Sequence, residues 1–277
     1  MTKSFFEKYD LSNKNALITG ACGLLGQEHA IALLELGANV VMTDLNNEKY
    51  KELNSKFEGY KGSVSFRKMN VTSFDSIATI GNELYKNGLE IDILLNNAAI
   101  NPVFDRQSNI NFSRVENYDL DVWNNELAVG LTGSFLCSKY FGNKMAENSK
   151  GGIILNIASD LSIISPDNRL YEKEELPNEK QFVKPMSYSV IKHGLIGMTK
   201  YLSTYWASNN IRCNALSPGG IFDDHDDKFV KKISELIPMG RMAKRDEYRA
   251  AVQFLCSEAS SYMTGQNIII DGGRSVW

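Results

Sequence analysis

The stretch ALITGACGLLG, Ala16 to Gly26, decides how this chain folds. A short apolar, β-prone run ends at Thr19, glycines follow at 20, 23 and 26, and a helical pattern runs from Gly23 to Leu36. Glycines at such a strand-to-helix turn permit a sharp reversal, close backbone approach to a pyrophosphate, and tight helix–strand packing. The free N–H groups and the helix dipole then favour the anion, so Gly20, Gly23, Leu24, Leu25 and Gly26 are candidate dinucleotide contacts. A turn needs glycine with or without a ligand. The surrounding βαβ context is what turns the pattern into a binding signal.

Outward from this turn, short apolar runs alternate with stretches of helical period. The expected strands are Ala16–Thr19, Asn39–Thr43, Val64–Lys68, Ile91–Asn96, Gly152–Ile157, Ile211–Leu216 and Asn267–Ile270. Helical patterns cover Gly23–Leu36, Asn47–Phe57, Phe74–Asn87, a long run near Asp119–Glu147, and Met186–Ser208. Runs such as ILLNNAA and GIILNIAS are apolar at consecutive positions, as expected of strands covered on both faces. The expected fold is therefore α/β: a single Rossmann-type, doubly wound parallel sheet of about seven strands with helices on both faces, spanning residues 1–277 as one domain. Its ligand should lie beyond the carboxyl ends of the strands, near the switch point. Residues 165–185 (SPDNRLYEKEELPNEKQFVKP) break the rhythm with charge and proline. They read either as a solvated surface loop or as a substrate-side clamp, and their position between two candidate catalytic residues favours the clamp.

Composition excludes several function classes. A net charge of −3 gives no basic footprint for nucleic acid and no polybasic patch for a membrane. No apolar stretch approaches the ~18 residues of a membrane span, and the charged start MTKSFFEKYD is unlike a signal peptide. The four cysteines (22, 137, 213, 256) lack C-x-x-C spacing, and with three histidines no zinc site and no other metal is expected. A cytoplasmic, reducing setting fits the scattered thiols.

Asp44 closes the second strand pattern, about two dozen residues after Gly20. An acid there accepts hydrogen bonds from the adenosine ribose and repels a 2′-phosphate. Leu45, Asn46 and Asn47 follow, with no Arg or Lys among them, so NAD is expected rather than NADP. The other reading of Asp44 is a helix cap. Further along, Tyr188 and Lys192 stand four apart in a helical pattern and so share a face. A phenol ordinarily titrates near 10, and a neighbouring ammonium stabilises the phenolate; the pair can serve proton transfer, or be a packed ring beside a solvated charge.

Taken together, TGACGLLG, DILLNNAA (92–99), NIAS ending at Ser159, YSVIK (188–192), RCNALSPGG (212–220) and SSYMTGQNIIIDGG (260–273) resemble the short-chain dehydrogenase/reductase family, its single-domain branch, over nearly the whole chain. The resemblance implies hydride transfer between nicotinamide and a carbonyl or hydroxyl carbon. It assigns proton exchange to Tyr188, a hydrogen bond to the reacting oxygen to Ser159, and to Lys192 both tuning of the tyrosine and a hold on the nicotinamide ribose. By the same resemblance Asn70, Val71, Asn97 and Ala98 line the adenosine side, and Pro218, Gly219 and Ile221 border the nicotinamide. Loop 165–185 and the chain's last segment are most similar to oxidoreductases of bacterial surface-sugar and flagellin modification, which implies a sugar phosphate or nucleotide-linked amino sugar as substrate. In the loop, Arg169, Lys173, Lys180 and Lys184 are available to a phosphate. Family members form dimers or tetramers, with the long helix before the fifth strand as the seam.

Three departures stand out. The glycine spacing is that of the longer, nucleotide-sugar branch, although only 85 residues follow Lys192. Gly130 stands where the family has the asparagine of a water-mediated proton relay, a role left to ordered water or to the nearby Asn125. Ser159 and Tyr188 are 29 apart, well beyond the family's usual gap. Two rival functions follow: an NAD-retaining sugar epimerase or dehydratase, and a non-enzymatic NAD-binding regulator, the latter suggested only by Gly130. Of the remaining tempting residues, His193 should face away from Lys192, because adjacent helical positions diverge by about 100°. His29 belongs to the first helix, the acidic run around His225 reads as capping or solvated, and Cys22 as a small filler.

Overall fold

The computed structural model describes residues 4–100, 113–148 and 150–277. Seven strands form one fully parallel sheet: β1 (Asn15–Thr19), β2 (Asn39–Asp44), β3 (Ser63–Lys68), β4 (Ile93–Asn96), β5 (Gly152–Ile157), β6 (Ile211–Pro218) and β7 (Asn267–Ile270). Their order is β3-β2-β1-β4-β5-β6-β7, so the winding reverses between β1 and β4. That reversal opens a crevice at the carboxyl ends of these two strands. All seven expected strands are present, and β6 runs two residues further than its pattern suggested, to Pro218.

Helices cover both faces, as the uninterrupted apolar strands require. On one face α1 (Leu24–Glu35) and α9 (Arg249–Leu255) pack against β1 and β2, with Leu33, Leu34, Tyr248 and Val252 fully buried. On the other lie α3 (Phe74–Lys86) and α7 (Met186–Tyr205), around Leu17, Leu94, Phe141 and Ile154. The short α2 (Asn47–Leu53) is capped by Asn46, whose side chain accepts the Lys49 N–H at 2.9 Å. The helical run 120–147 is not one regular helix. It comprises α4 (Leu120–Leu127), α5 (Gly133–Cys137) and α6 (Asn143–Glu147), joined by π-helical turns at Ala128–Thr132 and Ser138–Gly142. Such turns widen a helix locally and often flank functional sites.

Two helices escape the sequence pattern: α9, and α8 (Asp227–Glu235), which Asp226 caps through the Phe229 N–H at 3.0 Å. Each covers only two or three turns, too short for a clear period. α9 is held instead by long-range partners, with Arg249 reaching Glu28 on α1 at 2.7 Å. Beneath the crevice a buried amide chain ties helix to sheet. Asn96 donates to Asn156 (2.8 Å) and Ser138 (3.0 Å), and Asn156 donates to Thr199 (2.8 Å). Among the described residues no helix is long and apolar enough to cross a membrane.

Candidate active site

At the carboxyl ends of the strands lies a cleft of ≈ 1590 Å³, lined by every residue the sequence marked for cofactor or chemistry. Its floor is the turn after β1. Gly20 sits at φ +61°, and a Cβ there would meet Ala98 Cα at 2.7 Å; one on Gly26 would meet the Gly20 carbonyl at 2.5 Å. These glycines are fixed first by the protein's own backbone. Thr19 Oγ1 accepts the N–H groups of Asn97 and Ala98, each at 3.0 Å, while Asn97 Nδ2 donates to the carbonyls of Thr19 and Gly20, each at 3.0 Å. α1 begins at Gly23 with neither a side-chain cap nor an acidic residue in its first turn. An uncapped helix start on a cleft suits a pyrophosphate, and on that ground a dinucleotide fits here.

Asp44, at the end of β2, lines the cleft beside the glycine turn. It is not the cap of α2, a role Asn46 fills. One carboxylate oxygen accepts the Cys22 N–H at 3.0 Å and the other the Asn46 N–H at 3.2 Å. The acid thus braces the glycine turn and retains lone pairs for a ribose. Lys49 lines the same end of the cleft, a cation that the sequence reading did not bring there. The signal was available: a cap at Asn46 places Lys49 three residues on, at the open mouth of the first helical turn. Asn70 and Val71 line the cleft after β3, and Val71 also packs against Gly133. Cys22 is buried, which together with the Asp44 carboxylate pushes its thiol up to about 11.

The opposite wall carries Ser159, Tyr188 and Lys192. Ser159 follows β5 in extended backbone and caps a short 3-10 turn through the Leu161 N–H, 3.2 Å. Tyr188 lies in the first turn of α7, and the Lys192 ammonium is 5.6 Å from its ring centroid. Lys192 is 5 % exposed and donates to the Ile157 carbonyl at 2.8 Å. Burial, reinforced by the nearby Lys184 charge, lowers it to about 8. The sequence led us to expect a lowered phenol at Tyr188. Its titration is instead raised: burial dominates, a hydrogen bond from Ser159 opposes it, and the Asp160 carboxylate adds to the rise. Two lysines are present, but the closer is not the expected one. The Lys184 ammonium sits 4.0 Å from the tyrosine ring centroid.

Loop 165–185 lies on this wall, with Leu170, Tyr171, Lys173, Phe182 and Lys184 lining the cleft. It is neither featureless nor wholly solvated: short 3-10 turns occupy Asn168–Tyr171 and Asn178–Lys180, and Leu170 packs with Ile233 and Ile237 near α8. Of the four loop cations offered to a phosphate, Lys173 and Lys184 line the cleft, whereas Arg169 turns back onto Asp167 at 2.7 Å with its side chain 78 % exposed. Pro218, at the end of β6, and Gly219 and Ile221 after it line the cleft; the Gly219 carbonyl accepts the buried Tyr248 hydroxyl at 3.1 Å, a support the sequence did not reveal.

Gly130, where the family's asparagine was expected, is packed rather than open: a Cβ there would meet Ile191 Cγ2 at 2.8 Å. Asn125 does line the cleft. His193 is exposed, with Nδ1 2.9 Å from the Ser189 carbonyl, and His29 is fully buried with no hydrogen-bond partner among the described residues. In the acidic run Asp223 pairs with Arg245, and His225 Nδ1 accepts the Asp223 N–H at 3.2 Å. Among the described residues no three His, Cys, Asp or Glu side chains gather as a metal site.

Comparison with known proteins matches residues 14–169 to a short chain dehydrogenase model and residues 177–275 to an enoyl-(acyl carrier protein) reductase model. The chain is 28 % identical over 273 residues to a D-threitol dehydrogenase of Mycolicibacterium smegmatis, covering 97 % of this chain and 95 % of that one. It is 29 % identical over 279 residues to an NAD-dependent glycerol dehydrogenase of Listeria innocua, covering 99 % and 98 %. A gluconate 5-dehydrogenase of Burkholderia cenocepacia, solved with NADP and tartrate, superposes with a TM-score of 0.80 at 27 % identity, covering 98 % of each chain.

Proposed function

The chain belongs to the short-chain dehydrogenase/reductase family, and from that premise we propose that it is an NAD-dependent dehydrogenase of a small polyhydroxylated substrate, a polyol or sugar acid. One observation carries this reading: Ser159, Tyr188 and Lys192 meet on a single wall of the cleft whose floor is the glycine turn. A nicotinamide held between the glycine turn and Lys192 would supply a hydride acceptor for the carbinol carbon. Tyr188 takes the hydroxyl proton of the substrate, Ser159 holds the reacting oxygen by a hydrogen bond, and Lys192 offers its ammonium to the ribose and to the phenolate. The threitol, glycerol and gluconate dehydrogenases to which the chain is similar support hydroxyl-rich substrates.

Asp44 favours NAD, because a carboxylate at the end of β2 repels a 2′-phosphate. Lys49 weighs the other way, and one of the similar proteins was solved with NADP. Sugar phosphates and nucleotide-linked amino sugars of surface-glycan modification form the second reading. Lys173 and Lys184 on the cleft wall are what favour it.

The test is a panel of polyols, aldonates, sugar phosphates and nucleotide sugars with each cofactor, following reduced nicotinamide and product together. Net reduction with a polyol or aldonate is the expected result. Product formed without net reduction would establish an epimerase or dehydratase, and cofactor binding without any turnover a regulator. We further propose a dimer or tetramer sealed along the helical run 120–147, where Val122 and Phe135 stand exposed; a monomer by light scattering would refute it.

A further inference from the structure

Directly after Ser159 stands a carboxylate that none of the roles above uses. Asp160 is 4 % exposed, and its two oxygens have different partners. Oδ1 accepts the Ser159 hydroxyl at 2.8 Å and the Leu161 N–H at 2.8 Å. Oδ2 accepts Arg274 Nη1 at 2.7 Å, from a guanidinium that is itself only 8 % exposed. Arg274 comes from the far end of the chain. It opens a 3-10 turn behind Gly272 and Gly273, both at positive φ, and the Asp271 carboxylate fixes that turn through the N–H groups of Gly273 (2.9 Å) and Ser275 (2.8 Å). The turn is wedged against the nicotinamide-side strand end, where a Cβ on Gly219 would meet Asp271 Cα at 2.7 Å. Arg274 is therefore delivered rigidly, and both it and Asp160 line the cleft.

A serine hydroxyl has one proton to give. At Ser159 two acceptors compete for it: the Asp160 carboxylate and the oxygen of Tyr188. A carboxylate without a counter-ion would hold that proton and place an uncompensated charge beside the phenol; one shared with a guanidinium is a weaker acceptor. We propose that Arg274 is a positioning residue: by occupying and neutralising Asp160 it frees the Ser159 hydroxyl to turn to the reacting oxygen and shields Tyr188 from the carboxylate's charge. This rests on the reading that Tyr188 exchanges the substrate proton. It adds a tail residue to the machinery of that exchange.

Every charged or titratable group near Tyr188 enters the expectation. Lys184 stacks on the ring from the loop, Lys192 lies one turn along α7, Tyr171 approaches from the loop, and Asp160 follows β5. Glu126, on α4, acts on Lys184 and is held by Tyr118 and Ser187. Arg274 bonds Asp160, and its charge also reaches Lys184 and Tyr171.

Two readouts test the proposal. The first needs no substrate: the ultraviolet tyrosinate titration of Tyr188, obtained by subtracting the Tyr188→Phe variant, in Arg274→Met, Arg274→Lys and the double variant Asp160→Asn/Arg274→Met. Arg274→Met should move the titration upward and Arg274→Lys should leave it in place. The double variant, in which neither charge remains, should return it to the wild-type position or below. The second readout is turnover on whichever substrate the panel yields. Arg274→Met should lose about ten- to hundredfold in kcat/KM, with its acid limb shifted to higher pH and NAD affinity kept, and Asp160→Asn should recover most of the loss. An unmoved titration in a folded Arg274→Met variant, or a double variant no better than the single, overturns the proposal. Absence of any substrate alongside a shifted titration would leave Arg274's role standing and sink the dehydrogenase reading instead.

Discussion

The two halves of the cleft are built in different ways. Around the glycine turn the groups that shape the site are bonded to backbone: Asn97 to the Thr19 and Gly20 carbonyls, Thr19 to the N–H groups after β4, Asp44 to the N–H groups of Cys22 and Asn46. On the wall that carries Tyr188 the decisive contacts join charged and ionisable side chains. Arg274 reaches Asp160 across 114 positions, and Lys184, four residues before Tyr188, lies over its ring. One half is backbone geometry with side chains as braces; the other is a set of charges held close together in low dielectric. The first tolerates little change of shape, the second little change of charge.

The comparison makes its largest claim at Tyr188. Tyr188→Phe should cut turnover about 100- to 10,000-fold while leaving NAD affinity, measured by calorimetry, within a factor of about two. Weakened NAD binding together with the lost turnover would show that the halves are not separable. Next in size, Asp44→Ala should weaken NAD about tenfold or more and NADP far less, and Lys49→Met should weaken NADP alone. Equal losses for both cofactors would remove the ribose assignment and leave Asp44 as a brace only.

A third test concerns the cost of crowding charge. Lys192 has its folded pKa depressed from 10.5 to about 8, so between these values the unfolded chain binds the proton and the native one releases it. The penalty for the buried ammonium is complete below about pH 8 and fades as pH rises towards 10.5. Lys192→Met should therefore be inactive yet more stable than the wild type at pH 7, by about 2–3 kcal/mol at most. Thermal melts should show the advantage shrinking above pH 8. A variant less stable at neutral pH would mean that the Ile157 hydrogen bond outweighs desolvation. The smallest effect belongs to Arg169, paired with Asp167 at the solvated face of the loop. Its replacement by Ala should keep kcat/KM within about twofold, since exposed ion pairs contribute little.

The same contrast governs how much was legible in the sequence. All seven strands and the glycine turn announce themselves locally, through apolar runs and turn residues, and so does Asp44 through its distance from Gly20. Tyr188 and Lys192 are readable because four residues along a helix fix a shared face. What stayed hidden depends on tertiary proximity. Asp160 is unremarkable beside Ser159 until Arg274 arrives, and the tail reads as a family ending rather than as a supplier of a cation. Lys184 was one of four interchangeable loop cations, and only folding distinguishes it from Arg169. The expected lowering of Tyr188 failed for a related reason. Helical spacing reveals the helpful ammonium but neither the burial nor the carboxylate that outweigh it.

Gly130 carries a consequence for substitution. Its missing side chain is matched by Ile191, whose β-branched methyl occupies the volume an asparagine would need and cannot swing aside cheaply. Placing an asparagine at this position would drive its Cβ into that methyl, so a double variant that also trims Ile191 should accept it better than the single change.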